Sequence, residues 1–357
     1  MSYHVLQLSP GQDTAGIGYR LAEALMSEVP ALAPYHHPGG RDVKPVVAMR
    51  STETYLQFPH DREWSWEDAK TLCNEASLIH IHNHVRISGL TKYLEAKPLV
   101  IHHHGTIFRE EETQAMLDAA DEFKAVTVVS TLDLTIFRGD LRWLPSPIAV
   151  DWMASLRAKY YEPSEKIRIV HAPTNRAVKD TALFIETIRE LKAEGLPVEG
   201  MVIEGMPWSD CLKMKARNAD IFYDQIQLGY GQNALESWAM GVPVVAGASE
   251  DYERIFRDHL GRLPYVHADA GSLKATLRRL VLDESARREA AAIGHEYVQT
   301  WHAYRPVAVL ALQTYEEAHK LKGIPFPESL SSFAWDAPSV AETVAEAIST
   351  TSSRPIS

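Results

Sequence analysis

Apolar residues recur along the chain in two rhythms, and the alternation between them predicts the architecture. Short apolar runs bounded by polar or turn-forming residues fall at 3–8, 77–84, 99–105, 125–130, 166–172, 198–204, 221–223 and 242–246, each of strand length. Between them lie amphipathic stretches of helical period. Ile17, Leu21, Ala24 and Leu25 share one face, as do Leu183, Phe184, Thr187, Ile188 and Leu191, and again Ala234, Leu235, Trp238 and Ala239. Strands alternating with helices predict an α/β protein with doubly wound, mainly parallel sheets. After a last short strand near 263–267 the pattern is helical, at 271–282, 284–300 and 306–322. From Pro325 the chain becomes rich in Pro, Ser, Thr and Ala, so 325–357 reads as a flexible tail with a short helix at 340–348.

Length and composition set the scale. A chain of 357 residues accommodates two domains, each with its own core. Residues 1–148 form the first candidate domain and 149–304 the second; 305–324 is a helix returning to the first. The Pro145-Ser146-Pro147 segment stiffens the connection between the two. No apolar run approaches the roughly 20 residues of a membrane span, and the N-terminus lacks the basic start and apolar stretch of a secretion signal, so a cytoplasmic location is expected. The two cysteines, Cys73 and Cys211, form no ligand motif and predict neither disulfide nor zinc chemistry. A formal charge of −11 disfavours nucleic acid and anionic membranes as partners. Arg278-Arg279 and Arg287-Arg288 read as a solvated face.

The most informative stretch is 219–247. A short apolar strand precedes Gly229-Tyr230-Gly231, where two glycines are expected to turn with positive φ and let a ligand approach the backbone. A helix starts at once and stops at Gly241, with Pro243 beyond. Its N-terminus offers free N–H groups and the positive end of a dipole, which favours phosphate. Glu236 lies about one turn inside.

The run from Gly229 through Glu236-Ser237-Trp238-Ala239-Met240-Gly241-Val242-Pro243-Val244-Val245 resembles the donor-binding signature of family 4 retaining glycosyltransferases. Two further segments extend the resemblance. One is His171-Ala172-Pro173-Thr174-Asn175-Arg176-Ala177-Val178-Lys179; the other is Lys97-Pro98-Leu99-Val100-Ile101-His102-His103-His104-Gly105-Thr106, with Arg109. It implies a GT-B fold, with two facing Rossmann-type domains and a C-terminal crossover helix. The implied activity is retaining transfer of a sugar from a nucleotide diphosphate sugar, a UDP-sugar being expected, to an acceptor hydroxyl. No cofactor or metal is implied. On this reading Arg176 and Lys179 stabilise the departing diphosphate and His104 faces the reacting sugar. Asn175, Gly229, Tyr230, Gly231, Gln232 and Asn233 shape the donor pocket, and Glu236 accepts from the ribose hydroxyls. Gly16 and Gly18, between the first strand and first helix, lie near the donor phosphates; His82, His104 and Arg109 lie on the acceptor side. One departure stands out: the first of the family's two glutamates, eight residues before the second, is replaced by Leu228. Asp224, Gln225 and Gln227 are the polar substitutes nearby.

Two other readings remain open. Leu228 is compatible with a nucleotide-sugar binding protein impaired in catalysis. Histidines at the strand ends, His80, His82, His84 and His102 to His104, suggest a metal-dependent hydrolase, because His-x-His on a strand puts both imidazoles on one face. The acceptor, whether glycan, lipid, protein or small molecule, is not legible in the sequence.

Overall fold

The computed structural model describes residues 3–9, 16–29, 47–49, 66–83, 89–109 and 113–331. The chain divides into two compact units, one comprising 1–147 and 304–357 and the other Ile148–Ala303. The division falls directly after Pro147.

The first unit holds β1 (Val5–Ser9), β2 (Val47–Met49), β3 (Leu78–His82), β4 (Leu99–His103), β5 (Val126–Val129) and β6 (Arg142–Trp143) in one parallel sheet of order β2-β1-β3-β4-β5-β6. Its helices are α1 (Ile17–Glu28), α2 (Trp66–Glu75), α3 (Thr91–Ala96), α4 (Gly105–Arg109) and α5 (Thr113–Glu122). Strand side chains alternate between two cores. Ile79, Ile81, Leu99 and Ile101 pack with Leu72, Leu94 and Ala120 on one face, and Leu78, Val100, Val126 and Val128 pack with Leu21 and Leu25 on the other.

The second unit opens with α6 (Val150–Tyr160), a helix whose low amphipathicity hides it in the sequence, since only Val150 and Met153 are buried. Then follow β7 (Ile167–His171), α7 (Thr181–Ala193), β8 (Val198–Val202), α8 (Trp208–Asn218), β9 (Ile221–Tyr223), β10 (Leu228–Gly229), α9 (Gln232–Ala239), β11 (Val244–Ala248), α10 (Glu250–Leu260), β12 (Val266–His267), α11 (Leu273–Leu282) and α12 (Glu284–Trp301). The sheet order is β10-β11-β9-β7-β8, with β12 also paired to β11 and only β10 antiparallel. Ile169, Ile221, Tyr223 and Val245 face a core closed by Phe184, Ile188 and Leu191 of α7 and Leu273 and Leu277 of α11. Arg278 and Arg288, read as a solvated face, are exposed and pair with Glu194 and Glu284.

The chain then returns to the first unit through α13 (Tyr304–Lys322), which buries Val307, Ala311, Leu312 and Tyr315 against the core of Leu21, Val100 and Val128. Pro325 does not open a flexible tail: α14 (Glu328–Ser331) buries Leu330 in that same core. The helix expected at 340–348, like His84, lies outside the described residues. No helix among the described residues is long and apolar enough to cross a membrane.

Candidate functional site

In the second unit the loops after β7 and β9 and the first turn of α9 come together around Asp224. This buried carboxylate accepts from Nζ of Lys179 at 2.6 Å and from the backbone N–H of Gly231 at 2.6 Å. Gly229 has φ 72°, as expected, and a Cβ there would lie 2.6 Å from the ring of Tyr252, so both backbone and space demand glycine. Gly231 departs from the expectation. Its φ of −114° is extended, and its value lies in room, because a Cβ would come 3.2 Å from Nζ of Lys179. The absent side chain thus lets an ammonium stand at the start of α9, where the helix dipole also favours negative charge. Asp224 occupies the position that suits an anion. Beside it, Nε2 of Gln232 is buried with no hydrogen-bond partner among the described residues.

Behind this arrangement lies a second ionic cluster. Glu236 is 2% exposed and does not present a free carboxylate for ribose. Its Oε1 accepts from the Trp208 indole N–H at 2.8 Å and its Oε2 from the ammonium of Lys215, which is fully buried. Lys215 also donates to Oδ1 of Asn233 at 2.9 Å, while Nδ2 of Asn233 donates to the Ala172 carbonyl at 2.8 Å. The Glu236 carboxylate reaches a ribose diol only through its remaining lone pairs or by release of Trp208. Sequence reasoning missed Lys215 and Trp208. A signal existed: Lys215 follows Leu212 by three residues and precedes Ala216 on the buried face of α8.

The other donor-side residues separate. Asn175 shapes its own loop, Oδ1 accepting from the amides of Ala177 at 3.0 Å and Val178 at 3.3 Å. Arg176 is exposed and its bonds go to Glu204, not to the Lys179–Asp224 cluster. Tyr230 sits in the glycine turn, but its side chain turns inward. That ring is buried among Trp238, Phe256, Tyr265 and Tyr297, so only its backbone faces the turn. Position 228 offers no carboxylate: Leu228 pairs with Ala248 in β10. Of the three polar substitutes, Gln227 donates to Asp180 at 2.8 Å and Gln225 is buried.

In the first unit Gly16 takes φ 67° at the start of α1, and Gly18 is buried in its first turn. Arg109 donates to Oδ2 of Asp133 through Nε at 2.9 Å and to Thr131 at 3.3 Å. The histidines on β3 and at the end of β4 meet on one sheet face, because His82 and His102 are register partners. Nδ1 of His82 lies 2.8 Å from Nε2 of His104, and Nε2 of His82 lies 3.0 Å from the Gln7 side-chain carbonyl. Nε2 of His80 lies 3.3 Å from Nδ1 of His102, and Nδ1 of His80 lies 3.0 Å from the Tyr315 hydroxyl. Burial lowers the affinity of all four rings for a second proton, bringing His82 down to about 3. Mutual repulsion among the rings acts the same way on His80, His102 and His104. His103 points to the opposite face and stacks on Phe108.

No protein-family model and no curated protein sequence matches the chain. Solved structures do. Sucrose-phosphate synthase from Thermosynechococcus elongatus superposes with a TM-score of 0.58 at 14% identity, over 89% of this chain and 99% of that one. An α-glucosyltransferase in complex with UDP-glucose and DNA containing an abasic site gives 0.59 at 10% identity, over 88% and 100%. A glycosyltransferase from Rickettsia africae gives 0.58 at 12% identity, over 89% and 99%. With two parallel α/β units and a last long helix returning to the first, the chain has the GT-B fold.

Proposed function

We propose that the protein is a retaining glycosyltransferase that takes a sugar from a nucleotide diphosphate sugar, a UDP-sugar in the first instance, and gives it to an acceptor hydroxyl. The observation carrying this reading is the grouping of Lys179, the Gly231 amide and the start of α9 around one anion position. A diphosphate gains negative charge as the glycosidic bond breaks, so a fixed ammonium and helix N-terminus stabilise it more in the transition state than in the ground state. The bond from the anomeric carbon to the diphosphate oxygen breaks and the diphosphate leaves with the electron pair. The acceptor oxygen bonds to the same face of that carbon, and its proton passes to the leaving phosphate. Lys179 exchanges Asp224 for phosphate when the donor binds. Gln232, with its unpaired amide, donates beside it. In this proposal Glu236 fixes Lys215 and Asn233 behind the pocket and reaches the ribose diol through its remaining lone pairs or on release of Trp208. No metal is required at the leaving group. The acceptor-side roles of His82, His104 and Arg109 are supported by the sequence resemblance alone.

A second reading, donor binding without turnover, is favoured by Leu228. Thermal unfolding with UDP, GDP, ADP and their sugar conjugates tests both. A ligand at a hundred times its Kd adds about 2.7 kcal/mol, several degrees for a domain of this size. A shift with one nucleotide class, lost in Lys179→Ala, supports the donor site; no shift with any nucleotide sinks it. Binding without sugar hydrolysis or transfer supports the second reading. An α product from an α donor, read by NMR, supports retention, and a β product removes it.

A further inference from the structure

The histidines of β3 and the end of β4 face one another in pairs, and three of them are placed as ligands. Each has one nitrogen turned toward another ring and one turned away. Nε2 of His80 faces Nδ1 of His102 at 3.3 Å, and Nδ1 of His82 faces Nε2 of His104 at 2.8 Å. One ligand atom each from His80, His82 and His102 falls within 4.8 Å of the others. Two nitrogens bound to one tetrahedral ion at 2.0–2.1 Å stand about 3.4 Å apart, close to the His80–His102 separation.

On β3 the outward nitrogens have the partners that metal-bound imidazoles require. A ligating histidine donates its other ring N–H to a carbonyl or hydroxyl, which fixes its tautomer and orientation. Nδ1 of His80 reaches the Tyr315 hydroxyl at 3.0 Å and Nε2 of His82 reaches Oε1 of Gln7 at 3.0 Å. Gln7 ties the two together by donating from Nε2 to the Tyr315 hydroxyl at 3.2 Å. His102 completes the set from β4, where its ring is fully buried and bonds to the Leu144 backbone.

We propose that His80, His82 and His102 bind one divalent transition-metal ion between β3 and β4. Neutral imidazoles without any carboxylate select zinc and its neighbours over magnesium or calcium, which take oxygen ligands. The ion joins the two strands beside His104, whose Nε2 faces Nδ1 of His82. This proposal is independent of the sugar-transfer reading and amends the expectation that the protein carries no metal.

The test is cobalt and zinc titration of tag-free full-length protein, followed by elemental analysis after gel filtration. The expected result is about one equivalent per chain and, with cobalt, the visible absorption of a tetrahedral nitrogen site. His80→Gln and His102→Gln each lower retained metal at least tenfold, whereas His103→Gln, on the same strand but the opposite face, retains it. Folded wild type that takes up neither ion overturns the proposal, as does uptake that survives both substitutions. Should either variant fail to fold, the wild-type cobalt spectrum decides alone: tetrahedral nitrogen bands support the site, and their absence ends it.

Discussion

The largest buried polar cluster differs between the two units. The first buries histidines and keeps them neutral: burial and mutual repulsion hold His80, His102 and His104 well below the usual imidazole range. The second buries opposite charges in contact, Lys215 with Glu236 and Lys179 with Asp224. A neutral imidazole cluster loses little by desolvation and responds to protons and metals. A buried ion pair depends on both partners being present, because either one alone is an uncompensated charge. The same parallel-sheet frame thus carries a proton-sensitive centre in one unit and a mutation-sensitive one in the other.

The largest effect expected from this contrast is at Glu236. Replacement by Ala strands the Lys215 ammonium, which has no exposure, and costs about 3–5 kcal/mol in urea unfolding; Glu236→Ala with Lys215→Met recovers much of it. A double variant no more stable than the single one would show that the pair does not act as a unit.

Acid comes next, and it acts mainly on the other unit, whose four clustered histidines are lowered by burial where β7 of the second unit carries one, His171. A histidine whose pKa is lowered by folding contributes stability that is present above its unfolded value of 6.5 and is lost as pH falls toward its folded value, about 3 for His82. Each such ring costs up to about 1.4 kcal/mol per pH unit below 6.5, because the unfolded chain binds the proton and the folded one does not. Hydrogen exchange between pH 7 and 4.5 is expected to show β3 and β4 losing protection before β7 and β9. The reverse order would break the comparison.

Gly229→Ala combines a left-handed backbone with a Cβ against the Tyr252 ring and is expected to cost about 2 kcal/mol, read as a lower denaturant midpoint at unchanged slope. Lys179→Ala is expected to weaken UDP binding about tenfold to a hundredfold by calorimetry, the loss of one charge-assisted contact. Arg176→Ala is the smallest, within about 0.5 kcal/mol in stability, since its pairing with Glu204 is solvent-exposed. An Arg176→Ala effect on UDP affinity equal to that of Lys179→Ala would bring the arginine into the same site.

Legibility varied with the kind of signal. Period-2 and period-3.6 patterns exposed the longer strands of both sheets and helices such as α7, α9 and α13, because those elements bury a regular face, whereas the two- and three-residue strands β2, β6 and β10 are too short to show a period. α6 escaped for want of such a face, and the helical start of the C-terminal tail escaped because Leu330 alone anchors it. At the site, Gly229, Lys179 and the start of α9 were readable from local chemistry. The withdrawal of Tyr230 and Glu236 was not, since each is set by residues distant in sequence: Tyr297 lies across the aromatic cluster, and Lys215 and Trp208 lie on another helix.

The sequence by itself determined the α/β class, the glycine turn before α9 and the shared face of His80 and His82, all consequences of backbone periodicity and local turn chemistry. Only the tertiary structure decided which charges are paired, which aromatic rings are core, and that His102 and His104 join His80 and His82. Those facts depend on strand register and helix packing, which bring together side chains that no local pattern in the chain relates.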